Sequence, residues 1–129
     1  MRDFERTATV AANPDDAFRF LAEPSNLPRY VATMSAARAE GSERLHVAAE
    51  VQGRHEEGDA GFRTDPSARR VEWGAEGSDG YGGWLQVAET AGGASVTLHL
   101  HVQHGEDEAT INRTLDETVS NIERLLGTD

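Results

Sequence analysis

The chain has 129 residues, no cysteine, 12 basic against 23 acidic residues, and a formal net charge of -11. That length makes one domain with a core of its own; the missing cysteines exclude disulfides and thiolate chemistry, and no apolar run nears the roughly 20 residues that span a bilayer. Every basic residue is arginine, which excludes lysine Schiff bases and Walker-type phosphate loops, while the acidic surface disfavours nucleic acid and anionic membrane as partners. The first residues, Met1-Arg-Asp-Phe-Glu-Arg6, do not form a secretory signal, and the expected location is the cytoplasm.

Residues Phe4 to Ala11 alternate apolar and polar and predict a strand. Asn13-Pro14-Asp15-Asp16 is a helix start: Asn13 caps, Pro14 suits the first helical position, and the aspartates meet the positive end of the dipole. That helix carries Ala17, Phe18, Leu21 and Ala22 on one side and stops at Pro24. A second short helix is expected over Ser25 to Tyr30, with Ser25 as its cap. From Val31 the pattern is loose, and residues 35–40 read equally as strand or irregular chain.

Leu45 to Val51 predicts a strand with Leu45, Val47, Ala49 and Val51 on one face. A short strand follows at Ala60 to Thr64 around Phe62. Asp65-Pro66-Ser67 is a turn by its own chemistry. Further strands are expected at Val71–Ala75, Trp84–Glu89 and Ser95–Gln103, with Ala91-Gly92-Gly93 as a hairpin turn. The glycine-rich segment from Gly77 to Gly83 reads as a long hairpin, or as a loop over a pocket mouth with Tyr81 at its tip. The chain closes on an amphipathic helix from Ala109 to Leu126, with Ile111, Leu115, Val119, Ile122 and Leu126 on one stripe. Strand, two short helices, about six strands in hairpin succession and one long helix make an α+β arrangement. In it, a curved antiparallel sheet of about seven strands has the last helix packed across it.

That order resembles the helix-grip superfamily, the START-like or SRPBCC proteins, and within it the polyketide cyclase/dehydrase-like group. The local text is similar as well: Ala12-Asn13-Pro14-Asp15-Asp16-Ala17-Phe18 at the strand-to-helix entry, Asn26-Leu27-Pro28-Arg29-Tyr30 in the second helix, and Asp65-Pro66-Ser67-Ala68-Arg69-Arg70-Val71-Glu72-Trp73 at a proline-and-arginine hairpin. The resemblance spans nearly the whole chain as one domain, residues 1–129. It implies an apolar cavity between sheet and terminal helix that takes lipids, sterols, polyketides or similar molecules, with catalysis in a minority of members. On that reading the expected lining is Phe18, Tyr30, Val47, Phe62, Trp73, Trp84, Leu100, Leu115 and Val119.

Three groups stand out as carriers of chemistry. His99 and His101, two apart on a strand and followed by Glu106, open like a cupin metal motif. The glycine that should follow is Arg113, and Val96, Leu98, Leu100 and Val102 claim the buried face, so the pair reads as solvated and no metal or cofactor is expected. His46 lies on the polar face of another strand. His55, next to Glu56 and Glu57, is a general-base candidate if the alternation begun at Leu45 persists, and part of an exposed turn if the flanking Gly53 and Gly58 bend the chain. Tyr30 and Arg63 are the other candidates for moving protons. Three functions follow: binding of a small hydrophobic or aromatic ligand, a cyclase or aromatase in the same cavity, and an interaction module with the cavity closed. An exposed edge strand could join two copies into a homodimer.

Overall fold

The computed structural model describes residues 2–31, 34–40, 44–51, 54–75, 81–102 and 108–127. The elements run β1 (Arg2–Val10), α1 (Pro14–Ala22), a 3₁₀ turn (Pro24–Asn26), α2 (Leu27–Tyr30), β2 (Met34–Ala39), β3 (Arg44–Val51), β4 (Arg54–Asp65), β5 (Arg70–Ala75), β6 (Tyr81–Thr90), β7 (Gly93–Val102) and α3 (Glu108–Leu126). The strands form one antiparallel sheet in the order β1-β7-β6-β5-β4-β3-β2. This is the helix-grip arrangement that the order of elements implied: consecutive strands pair as hairpins, and β1 closes on β7.

Register assigns every strand a face, because side chains alternate with period two. One row across the sheet reads Phe4, Leu100, Gly83, Trp73, Phe62; the next reads Leu98, Leu85, Val71, Thr64. These rows belong to the inner face, which α1 and α3 cover. The other face carries Glu5, His99, Trp84, Glu72 and Arg63 in one row. The core joins inner-face residues Ala8, Val10, Val71, Leu85, Val87, Ala94, Val96 and Leu98 to Ala17, Phe18 and Leu21 of α1 and to Ile111, Leu115 and Ile122 of α3.

The first helix is built as its sequence dictates. Asn13 Oδ1 accepts from the Asp15 amide at 2.9 Å, Pro14 opens the helix, and Pro14, Ala17, Phe18 and Leu21 are buried. The cap of the following 3₁₀ turn is Glu23, not the expected Ser25: its carboxylate accepts from the Ser25 amide. Helix α3 lies against β1 and α2. Its buried seam is Ile111, Leu115, Thr118 and Ile122, with Val119 half-buried beside it. Arg6 ties the helix to β1, its guanidinium donating to Asp116 Oδ1 at 2.9 Å and Asn112 Oδ1 at 2.7 Å. The far end is pinned where the Ala12 amide donates to the Leu126 carbonyl at 3.1 Å.

Two expectations are corrected here, and one open reading is resolved. The strand expected at Ala60–Thr64 is the end of a 12-residue strand beginning at Arg54. His55 and Glu57 stand on its solvent side, where charge is no obstacle to pairing, so this segment is strand and not turn. Tyr81 is not at a loop tip: it starts β6 and pairs with Val102. The loose stretch after Val31 becomes edge strand β2, with a register shift between Met34 and Ala36. Most of the glycine-rich loop (76–80), together with Gln103 and Glu106, lies outside the described residues.

Candidate functional site

The inner face divides into two zones. Over β6, β7 and the start of β5 it is closed by α1 and α3: Val71, Leu85, Val87, Ala94 and Val96 are all at most 3% exposed. In the other zone the same face stays partly accessible. Val47 of β3, Trp73 of β5, Leu100 of β7 and Val119 of α3 are half-buried, as are Met34 and Ala37 of β2, and all pack against the core. Phe62, Leu45 and Leu115 are buried members of that core. A partly accessible apolar surface beside a packed core is the kind of surface on which small apolar molecules settle.

Gly83 shapes this zone. It pairs with Trp73 on one side and Leu100 on the other. A β-carbon there would collide with the His99 carbonyl and come within 2.8 Å of the Trp73 ring. The indole therefore lies close against the β6 backbone at Gly83, and only glycine leaves it room.

Of the expected lining, Val47, Phe62, Trp73, Leu100, Leu115 and Val119 fall on the inner side. Phe18 is 7% exposed and serves the closed zone through α1. Tyr30 is 1% exposed. Its hydroxyl donates to the Leu21 carbonyl at 2.6 Å, and burial pushes its phenol far above the ordinary value. Its own carbonyl accepts from Asn121 Nδ2 at 3.2 Å. Tyr30 thus staples α2 to α1 and α3 with its proton already committed.

Trp84 does not join this lining. It faces outward, stacked on the His99 ring with centroids 5.2 Å apart and planes 6° apart. Arg70 lies over the indole, 4.2 Å from the centroid. Arg70 also reaches Glu72 at 2.8 Å and Gln86 at 2.9 Å, so the outer tryptophan is covered by its neighbours' stems and rings.

His55 and Arg63 are outer-face residues as well. Alternation from Leu45 does not carry through the hairpin: His55 pairs with Glu50, on the face opposite Val47 and Phe62. It is exposed, with Nε2 2.8 Å from Glu57 Oε2. Arg63 pairs with Glu72 and is exposed. Neither reaches the inner zone. Among inner-face strand residues whose side chains are described, Arg6 and Glu89 are charged: Arg6 is held by Asp116 and Asn112, and Glu89 is exposed near the end of β6, paired with Ala94.

The outer-face histidines fall into two groups, His99 and His101 on β7, and His46 and His55, which share Glu57. His99 approaches Glu5 at 3.4 Å and Asp3 at 3.7 Å, while His101 covers Gly82. His46 lies four strands away from them, on β3, with Nε2 2.9 Å from Glu57 and Nδ1 3.1 Å from Asp59. Those two carboxylates favour its charged form and raise its pKa above the ordinary 6.5, Glu57 contributing most. The Glu57 and Asp59 carboxyls are lowered in turn, chiefly by their bonds to His46. A shallow groove lined by Asn112, Arg113, Asp116, Glu117, Ser120 and Asn121 runs along α3.

Comparisons with known proteins bear on this geometry. A family model described as polyketide cyclase/dehydrase and lipid transport matches residues 1–127. No curated protein matches the chain. Among solved structures, the chain is similar to a START superfamily protein from Mycobacterium smegmatis (11% identity, 96% of each chain covered, TM-score 0.82). It is also similar to the Zhui aromatase/cyclase from Streptomyces sp. R1128 (17% identity, 95% of this chain and 94% of that one, TM-score 0.74). The di-domain ARO/CYC BexL of the BE-7585A biosynthetic pathway matches at 23% identity and TM-score 0.73 over 96% of this chain but 46% of its own length. The chain therefore spans about half of that relative.

Proposed function

The chain belongs to the polyketide cyclase/dehydrase and lipid transport family, and we propose that it binds a small hydrophobic or aromatic molecule between the inner face of its sheet and α3. The observation that carries this reading is the partly accessible apolar set Val47, Trp73, Leu100 and Val119, packed against the buried core beneath α1 and α3. An indole in that wall offers a flat surface to a planar ligand. The positions of the proton-moving candidates favour binding over catalysis: His55 and Arg63 stand outside, and the Tyr30 hydroxyl is spent on a backbone carbonyl. The cytoplasmic location and a pairing of two copies along an edge strand belong to the same proposal. Among the described residues no helix is long and apolar enough to cross a membrane.

Native mass spectrometry of freshly purified protein tests the reading, together with tryptophan emission. The expected result is a co-purified small molecule, or a gain in melting temperature with members of an aromatic ligand panel. In the Trp84→Phe variant, which keeps Trp73 as its one tryptophan, the ligand should quench emission as strongly as in wild type. No adduct, no thermal gain and no quenching across the panel would overturn the proposal. Release of the ligand as a new chemical species would replace binding by cyclase or aromatase activity.

A further inference from the structure

We propose that the outer face of β2–β4 holds a divalent transition-metal ion of the zinc class, with His46, Asp59 and Glu40 as its ligands. One donor atom of each residue lies within 4.8 Å of the other two. In a tetrahedral site with bonds of about 2.1 Å, ligand atoms stand about 3.4 Å apart, so closing around an ion asks for rotation of two exposed carboxylate side chains and release of Glu40 from Arg38. The backbone beneath them is already set: His46 and Asp59 are direct cross-strand partners, and the Glu40 amide donates to the Arg44 carbonyl at 2.9 Å beside them.

The imidazole is held as a metal ligand needs to be. Its Nδ1 points at Asp59, inside the ligand set, while its Nε2 faces Glu57 at 2.9 Å. A carboxylate on the remote nitrogen fixes the tautomer and makes the coordinating nitrogen more basic. Glu57 is itself oriented by His55 Nε2 at 2.8 Å. One nitrogen and two carboxylate oxygens suit zinc and its neighbours; calcium and magnesium prefer oxygen alone. This mixed donor set, built around a doubly bonded histidine, distinguishes the site from an ordinary run of acids on a solvated face.

The charges around it are accounted for. Glu40, Glu57 and Asp59 meet His46, and Arg38 holds Glu40 at 3.1 Å; Arg44 acts on Asp59 from nearby. Arg38 must release Glu40 when the ion enters. That exchange, and the exposure of the ligands, make this a site completed by water and weaker than a closed structural zinc site. The site is on the opposite face from the apolar zone, so it does not depend on the ligand-binding reading.

Isothermal titration of the full-length, metal-free protein with zinc chloride near neutral pH tests the proposal, with magnesium as the comparison ion. One zinc per chain is expected, with no heat from magnesium. His46→Gln should abolish binding, and Glu57→Gln should weaken it about 10- to 100-fold. His99→Gln, on the far side of the outer face, should leave the affinity unchanged. All three residues are on the outer face, so an unaltered circular dichroism spectrum is expected for each variant. Absence of zinc binding in wild type, retention of wild-type affinity in His46→Gln, or loss of binding in His99→Gln would each overturn the assignment.

Discussion

Ile122 and Val119 stand three residues apart on α3, and the fold assigns them different work. Ile122 is fully buried, with 0% exposure, in the closed zone; Val119 is half-buried in the accessible one. Ile122→Ala removes three carbons, about 2.4 kcal/mol at about 0.8 kcal/mol per buried methylene. The void left between α3 and the sheet adds to that, so the total should fall at about 3–4 kcal/mol, within the usual range for such truncations. Unfolding entropy near 2.1 cal/mol/K per residue gives this chain about 0.27 kcal/mol/K, and the melting temperature should fall by about 11–15 °C. Val119→Ala should cost about 1 kcal/mol or less, about 4 °C, because part of its surface already meets solvent. Differential scanning calorimetry with urea unfolding separates the two. Equal losses, or a loss below about 1 kcal/mol for Ile122→Ala, would refute the division of α3 into a closed seam and an open flank.

Gly83→Ala should push the Trp73 indole off β6, costing about 1–3 kcal/mol and shifting Trp73 emission in a Trp84→Phe background; an unchanged spectrum would contradict the packing seen there. In metal-free protein, the His46 ring should titrate above 6.5 by NMR, and Asp59→Asn should bring it back toward that value. Its folded pKa is raised, so its contribution to stability is complete below the unfolded value and fades as pH rises through the folded one. Asp65 behaves in the opposite sense: bonds from the Ser67 hydroxyl and the Ala68 and Ser67 amides lower its pKa. The stability it lends the β4–β5 turn is present above the ordinary carboxylate range and lost as pH falls through the lowered value, so Asp65→Asn should flatten the acid limb of a stability profile. A double-mutant cycle on Arg6 and Asp116 should return about 0.2–1 kcal/mol, since both side chains are partly exposed.

The strand phase was legible wherever apolar residues alternate without interruption. In β7, Val96, Leu98 and Leu100 point inward and His99 and His101 outward, as the spacing predicted. It failed where chemistry spoke louder than phase. Trp84 lies between Leu85 and Gly83, and since Leu85 and Val87 are buried, period two already placed Trp84 outside. Its hydrophobicity argued the other way, and nothing local announces that Arg70 and His99 will cover it from adjacent strands. His55-Glu56-Glu57 between two glycines looks like a turn, yet a strand with one face in water tolerates charge at every second position. The cluster on β2–β4 was not legible at all, because Glu40, His46 and Asp59 meet only through cross-strand register.

The two tryptophans show why the faces of this sheet should be read separately. Trp73 and Trp84 come from neighbouring strands and differ in face by a single register step: Trp73 pairs with Gly83, and Trp84 with Glu72. A slip of one residue between β5 and β6 would exchange faces and put an arginine-stacked indole into the apolar zone. Two features oppose that slip. Gly83 is the position on β6 that admits the Trp73 ring, and Leu85 pairs with both Val71 and Leu98 inside the core. The same pairing that opens an apolar wall on the inside therefore fixes which charges and rings collect outside. A ligand in the inner zone and an ion on the outer face would each stabilise this one register, so their effects on melting temperature should add, as expected for separate sites on a single folded state.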